Sequence, residues 1–207
     1  MDRIRAMLPE PQPLLVVISG FSGVGKDTVI RRMKELGYPF YFVVTATTRP
    51  RRPNEVDGVD YYFLSEAEFL QKLERDEFLE HAVVYGQHKG ILKEKVRQAL
   101  ASGQDVIMRL DVQGAATIRQ MAPEALLIFV STASERELIR RLQGRQTESP
   151  EALAKRMAMI AEEAKQLPLF DYVVINADGH LDETVAQIRA IVSAEKCRVK
   201  PRVIHIY

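Results

Sequence analysis

Little in this 207-residue chain is in surplus. A single cysteine, Cys197, excludes an intrachain disulfide, and no Cys/His cluster has zinc spacing. Disulfide scaffolds and zinc modules are therefore out, and a reducing, cytoplasmic setting is expected. Neither sign of charge dominates: 29 Lys+Arg stand against 28 Asp+Glu, for a net charge of +1. That balance excludes a broadly basic coat for nucleic acid or an anionic membrane. No apolar run approaches the ~20 residues a bilayer crossing needs. Residues 1–13 carry Arg3 and Arg5 with no long apolar stretch behind them, and read as a short flexible leader, not a secretory signal. Repeats and low-complexity tracts are missing too, which sets solenoids and linkers aside.

What is present is a 46% hydrophobic composition, enough for a real core at a length where about 70% of the chain's surface is buried on folding. At roughly 150 residues per domain, the chain is one domain with some excess. Leu14 to Ser19, Asp105 to Leu110, Ala125 to Val130 and Tyr172 to Ile175 are short, continuous, β-branched apolar runs, the pattern of strands buried on both faces. Helical spacing separates them. Asp27 to Leu36 is one helix, stopped by Gly37; Ser65 with Glu68 and Ser134 with Glu137 form capping boxes; Ser149-Pro150 opens another helix; Gly103 and Gly144 are stops. Strands alternating with helices predict an α/β fold, a parallel sheet with helices on both faces. Residues 40–92 break the rhythm and read as an inserted lobe.

The strongest motif is Gly20-Phe21-Ser22-Gly23-Val24-Gly25-Lys26, set between a buried strand and a helix. Glycines let successive N–H groups turn inward around phosphate oxygens, the helix N-terminus adds partial positive charge, and Lys26 reaches the β- and γ-phosphates. The pattern usually places Ser or Thr next, to help hold magnesium; here Asp27 follows, then Thr28. Asp27 either approaches the metal through water or caps the first helical turn, where a carboxylate is favoured. A second motif, Thr47-Thr48-Arg49-Pro50-Arg51-Arg52-Pro53, is a stiff loop whose guanidinium forks match phosphate.

These motifs, with Glu55, Gly58 and Tyr61, the Glu77-Phe78-Leu79-Glu80 run, Asp111-Val112-Gln113-Gly114-Ala115 and Phe170 to Asn176, occur in the order that resembles guanylate kinase, over residues 14 to about 193. The resemblance implies a P-loop NTPase-type core, a GMP-binding lobe at about 40–92 and a helical lid at about 134–160; beyond it, residues 194–207, with Lys196, Arg198, Lys200 and Arg202, read as a basic tail. It implies ATP as phosphoryl donor, with magnesium held mainly through its phosphates and water, and GMP, with dGMP, as acceptor. Matched by position, Lys26 and residues 20–28 would hold ATP, with Asn176 against adenine. Thr45 and Glu80 would read guanine; Arg49, Arg52 and Tyr61 would hold the GMP phosphate, with Glu55 in the same loop. Arg141, Arg145 and Arg156 would be the catalytic arginines of the lid region. No nucleic-acid or membrane partner is implied, and the assembly is expected to be a monomer or homodimer.

Three positions depart from the common family pattern. Tyr85-Gly86-Gln87-His88-Lys89-Gly90-Ile91 puts Lys89 where a phosphate-binding tyrosine is usual and Ile91 where a base-reading hydroxyl is usual, and Arg109 stands in place of an acid, ahead of Asp111. The combination resembles a variant branch seen in plant organelles and some bacteria. Lys89, beside Gly90, can still bind phosphate as a point charge. Arg109 either donates to guanine O6 and N7 or pairs with Glu80 or Asp111 to shape the pocket. A binding-only scaffold domain, or a kinase for another phosphorylated acceptor such as a ribose phosphate, is the competing reading.

Overall fold

The computed structural model describes residues 7–84, 86–143 and 150–207, the side chains of 84 and 150–156 excepted. Five strands form a wholly parallel sheet: β1 (Leu15–Gly20), β2 (Phe40–Phe42), β7 (Asp105–Arg109), β8 (Leu126–Ser131) and β9 (Tyr172–Ile175), in the order β2-β7-β1-β8-β9. Strand β1 is central and buried on both faces, as its unbroken apolar run requires. Val16 and Ile18 face one core with Val29 and Met33 of α1 (Lys26–Glu35), Leu138 and Leu142 of α5 (Glu135–Gln143), and Val185 and Ile188 of α7 (Leu181–Glu195). Leu15 and Val17 face the other, with Val96 of α3 (Lys93–Ala101) and Ala115 and Ile118 of α4 (Val112–Met121). The period-two alternation of one strand thus feeds two helical layers.

Residues 40–42, expected with the inserted lobe, belong instead to the main sheet: Phe40 to Phe42 pairs in parallel with Asp105 to Ile107, and Phe40 and Phe42 pack on the first core. A three-residue edge strand is too short to show a period. The second sheet runs β4-β3-β6-β5, from β3 (Ala46–Thr47), β4 (Tyr62–Phe63), β5 (Phe78–Val84) and β6 (Gln87–Leu92). Helix α2 (Glu66–Glu74) covers it, opened by the full Ser65/Glu68 capping box, with Phe69 stacked on Phe78. Leu79 and Ile91 reach back into the second main core, so this lobe is rooted on the α3/α4 side.

Gly37 and Gly103 sit at positive φ just past their helices, where the Cβ of another residue would be strained. The Ser134/Glu137 pair is half a box: Ser134 accepts from the Glu137 N–H, while the Glu137 carboxylate accepts from Ala133 and Asp178. Helix α6 (Pro150–Ala164) begins at Pro150; Ser149 and Gly144 lie outside the described residues. The basic tail docks: Ile204 and Ile206 pack on the second core, Lys196 pairs with Asp105, and Arg202 pairs with Glu195.

Candidate active site

Parallel sheets bind ligands beyond the carboxyl ends of their strands, and many of the residues singled out above gather there. The chain leaves β1 at Gly20 and turns through Gly23 (φ 90°) and Gly25 (φ 92°) into α1. Each of these glycines is required by space as well as conformation. A Cβ on Gly20 would fall 2.0 Å from the Val130 carbonyl oxygen, one on Gly23 2.7 Å from Leu142, and one on Gly25 2.8 Å from the Asn176 amide. Lys26 lies under the loop and donates to the Gly20 and Phe21 carbonyls at 2.7 and 3.0 Å. Burial lowers its pKa and Arg109 adds to that, while Glu163, Asp27 and Asp111 oppose it.

One cleft joins this loop to the second lobe. Gly20, Ser22 and Lys26 line one side; Thr45, Tyr61, Glu80, Ala82, Lys89 and Ile91 line the other; Arg109, Leu110, Asp111 and Glu163 close the base and flank. A register shift between Phe78 and Glu80 lets Leu79 stay in the core while Glu80 reaches the cleft. Burial, with Asp111 adding, pushes the Glu80 carboxyl up to about 7. No hydrogen-bond donor among the described residues serves it, which makes it an acceptor waiting for one.

Several positions need revising. Glu55 was expected among the GMP contacts; it binds Arg49 through both oxygens, at 2.7 and 3.0 Å, and accepts from the Arg52 N–H at 2.8 Å. Arg49, with its guanidinium over the Tyr61 and Phe63 rings, is thereby set in place, and the Glu55 carboxyl is held down at about 2 by Arg49 first and the Arg52 amide second. Gly90 does not line the cleft: its Cβ would lie 2.6 Å from the Phe78 ring and 3.1 Å from Phe69, so packing demands the glycine. Asp111 stays in the cleft and also N-caps α4, accepting from the Gly114 N–H at 2.8 Å. Arg109 pairs with neither Glu80 nor Asp111; its partner is Asp27, at 2.8 Å. Asp27 sits in the first turn of α1, but the helix has no side-chain cap.

A second pocket lies behind the phosphate loop, lined by Gly23, Gly25, Thr28, Arg141, Asn176, Ala177, Asp178, Gly179 and Leu181. The side-chain amide of Asn176, expected against adenine, is already committed: it donates to the Val24 carbonyl at 2.7 Å and accepts from Thr184 at 3.2 Å. Arg141, expected as a mobile lid cation, is locked. It donates to the carbonyls of Val24 and Asn176 at 3.0 and 2.8 Å and pairs with Glu137 and Asp178. It is a brace for the loop and the wall of this pocket. Arg145 lies outside the described residues, and so does the side chain of Arg156 on α6. Arg52 remains exposed beside its loop.

Glu163 was missed by sequence reasoning. It comes from α6, lines the cleft beside Lys26, has one buried carboxylate oxygen without a partner, and has its pKa raised mainly by burial, against the pull of Lys26. Nothing in the spacing of a Glu162-Glu163 pair marks which of the two faces a lysine brought in from another element.

A glycine phosphate loop with a buried lysine, opening onto a cleft whose far wall carries a carboxylate and a second lysine, defines a P-loop kinase with places for two ligands. Comparison with known proteins narrows this. The guanylate kinase family profile matches residues 12–195. The chain is 49% identical over 201 residues to guanylate kinase 2, chloroplastic/mitochondrial, of Oryza sativa subsp. japonica, covering 97% of this chain and 70% of that one. It is 44% identical over 189 residues to the guanylate kinase of Symbiobacterium thermophilum, covering 91% and 89%. The crystal structure of guanylate kinase from Anaplasma phagocytophilum superposes with a TM-score of 0.69 at 28% identity, covering 91% and 89%. The chain belongs to the guanylate kinase family.

Proposed function

We infer that the protein is a nucleoside monophosphate kinase that moves the γ-phosphoryl group of ATP onto GMP, giving ADP and GDP, with dGMP as a second acceptor. The observation that carries the reading is the single cleft shared by Lys26 and Glu80. Family membership supports it.

Guanine's pairing edge presents two adjacent donors, N–H and NH₂. An ionised Glu80 can accept both, whereas adenine has no such pair to offer. A half-buried carboxylate with no protein partner penalises the wrong base, because a base that covered it without donating would leave it unpaired. Thr45, Tyr61 and Lys89 line the same wall, and Arg49, held by Glu55 over the Tyr61 ring, and Arg52 in the same loop are the further donors for the acceptor's phosphate on this reading. On the other side the backbone amides of residues 20–25 and Lys26 cradle the donor phosphates. Phosphoryl transfer asks the protein for position and charge more than covalent work. The loop supplies position, and Lys26 with Arg109 supplies charge at the junction.

The site also bears on magnesium. Among the described residues no group of three or more His, Cys, Asp or Glu side chains forms a metal cage. Asp27 takes the place of the usual hydroxyl, and its carboxylate is engaged by Arg109. This donor set fits an ion carried chiefly by the ATP phosphates and water. Held in that way, such an ion would supply charge neutralisation for the transferring group.

Incubation with γ-³²P-labelled ATP and GMP tests the reading. Labelled GDP in step with ADP is expected; ADP release without labelled GDP would overturn it.

A further inference from the structure

Asp27 and Arg109 each depart from the residue expected at their position, and the fold brings the two together. Arg109 ends β7, one strand from the phosphate loop: it is in register with Ile18 of β1, two residues before Gly20. Asp27 follows Lys26 in the first turn of α1. The two side chains meet at 2.8 Å while remaining 43% and 72% exposed. An ion pair this open to water adds little to stability, so its value lies in where it puts the guanidinium. Arg109 lines the cleft with Lys26, Glu80 and Lys89. It makes no other polar contact among the described residues, so most of its five N–H donors are open to a ligand.

We propose that Arg109 is a catalytic cation for the phosphoryl group in transit and that Asp27 is the positioning residue that holds it at the junction of the two nucleotide sites. This rests on the reading of the chain as a guanylate kinase. The alternative, donation to guanine, is disfavoured by placement, since the pair anchors the guanidinium to the donor-phosphate helix and Glu80 already offers guanine an acceptor. In the transfer an oxygen of the GMP phosphate forms a bond to Pγ as the bond from Pγ to the β-bridging oxygen breaks. That oxygen keeps the electron pair and leaves on ADP, and no proton passes through Arg109. In the transition state negative charge is spread over the oxygens of the moving group and builds on the departing bridge oxygen, where a fork of N–H donors beside Lys26 is most useful. Asp27 also offsets the repulsion between the two cations, consistent with its opposing Arg109 at Lys26.

The test is a double-mutant cycle with steady-state kinetics. Arg109→Ala should lower kcat by ~100-fold, the scale for losing one donor to a transition state, with the KM of GMP shifted less than about threefold. Asp27→Asn should lower kcat by roughly tenfold, Asp27→Glu should restore most of it, and the double variant should be no slower than Arg109→Ala, because both act through one group. Melting temperatures should stay within about 2 °C of the parent, as expected for an exposed pair. A rise in the GMP KM at unchanged kcat would overturn the assignment in favour of base reading. Multiplicative losses in the double variant would overturn the role of Asp27. A parent enzyme that forms no GDP would instead refute the guanylate kinase reading itself, so the two failures are distinct.

Discussion

Glu80→Gln separates stability from activity at a single atom. In the ligand-free protein the carboxyl is pushed up to about 7 by burial, with Asp111 adding, whereas an unfolded glutamate titrates near the ordinary value of 4.5. The folded chain therefore binds the extra proton between those pH values. The stability associated with it is fully present below pH ~4.5 and is lost as pH rises through about 7, a change on the order of 3 kcal/mol. Glutamine removes the titration, so the variant should be the more stable protein at pH 8, and its melting temperature should be flatter with pH. Guanine needs the opposite state, the carboxylate. Between pH 8 and pH 6 the ionised fraction of a group titrating near 7 falls about tenfold, and the GMP KM should rise by the same factor. In the variant the charge-assisted bond is gone, a loss of ~1.5–3 kcal/mol or roughly 10- to 150-fold in kcat/KM for GMP. The assay is initial rate against GMP at saturating ATP from pH 6 to 8.5. Both proteins share the titration of the GMP phosphate, so their difference isolates Glu80. A GMP KM with the same pH dependence in both, or equal losses for ATP and GMP, would rule out Glu80 as the acceptor for guanine.

Other expectations follow from the same geometry. Glu55→Ala should raise the GMP KM while leaving that of ATP in place, because it frees Arg49 from its bidentate partner. In the parent, the Arg49 pair should survive acidification until the pH nears about 2, since the Glu55 carboxyl is depressed to that value; chemical-shift titration of Glu55 checks this. Gly25→Ala should abolish ATP binding by calorimetry and cost ~1–3 kcal/mol in denaturant titration, since φ is 92° and the new Cβ meets the Asn176 amide. Ending the chain at Arg198 removes the buried parts of Ile204 and Ile206 and the Arg202 partner of Glu195. A loss of roughly 2–4 kcal/mol is expected, seen as a melting temperature lower by ~5–10 °C.

What could be read from the chain was set by range. The three inner strands of the main sheet announce themselves because burial on both faces leaves an unbroken apolar run, as in Leu15 to Ile18; Tyr172 to Ile175 carries the same kind of run although it is an edge strand with Val173 and Ile175 exposed. Phe40 to Phe42 does not, being short and at an edge. The phosphate loop is legible because its chemistry is local, with glycines and lysine within seven residues. The roles of Arg141 and Asn176 were not, because each is fixed by elements distant in sequence: Val24 binds both, and Asp178 and Thr184 complete their shells. The Asp27–Arg109 pair shows the same limit. Each residue was visible as a departure, but only the parallel register of β1 and β7 shows that one answers the other. Glu163 carried no sequence signal, since its meaning comes from the lysine it faces.

The central claim is that one cleft holds a guanine-reading carboxylate opposite a phosphate loop. Its most direct measurement is kcat/KM with ATP for GMP, dGMP, AMP and ribose 5-phosphate in a coupled assay of ADP release. GMP should come first, dGMP within reach of it, and AMP and ribose 5-phosphate lower by at least the ~10- to 150-fold that one charge-assisted contact supplies. Equal turnover of AMP, or a preference for ribose 5-phosphate, would contradict it.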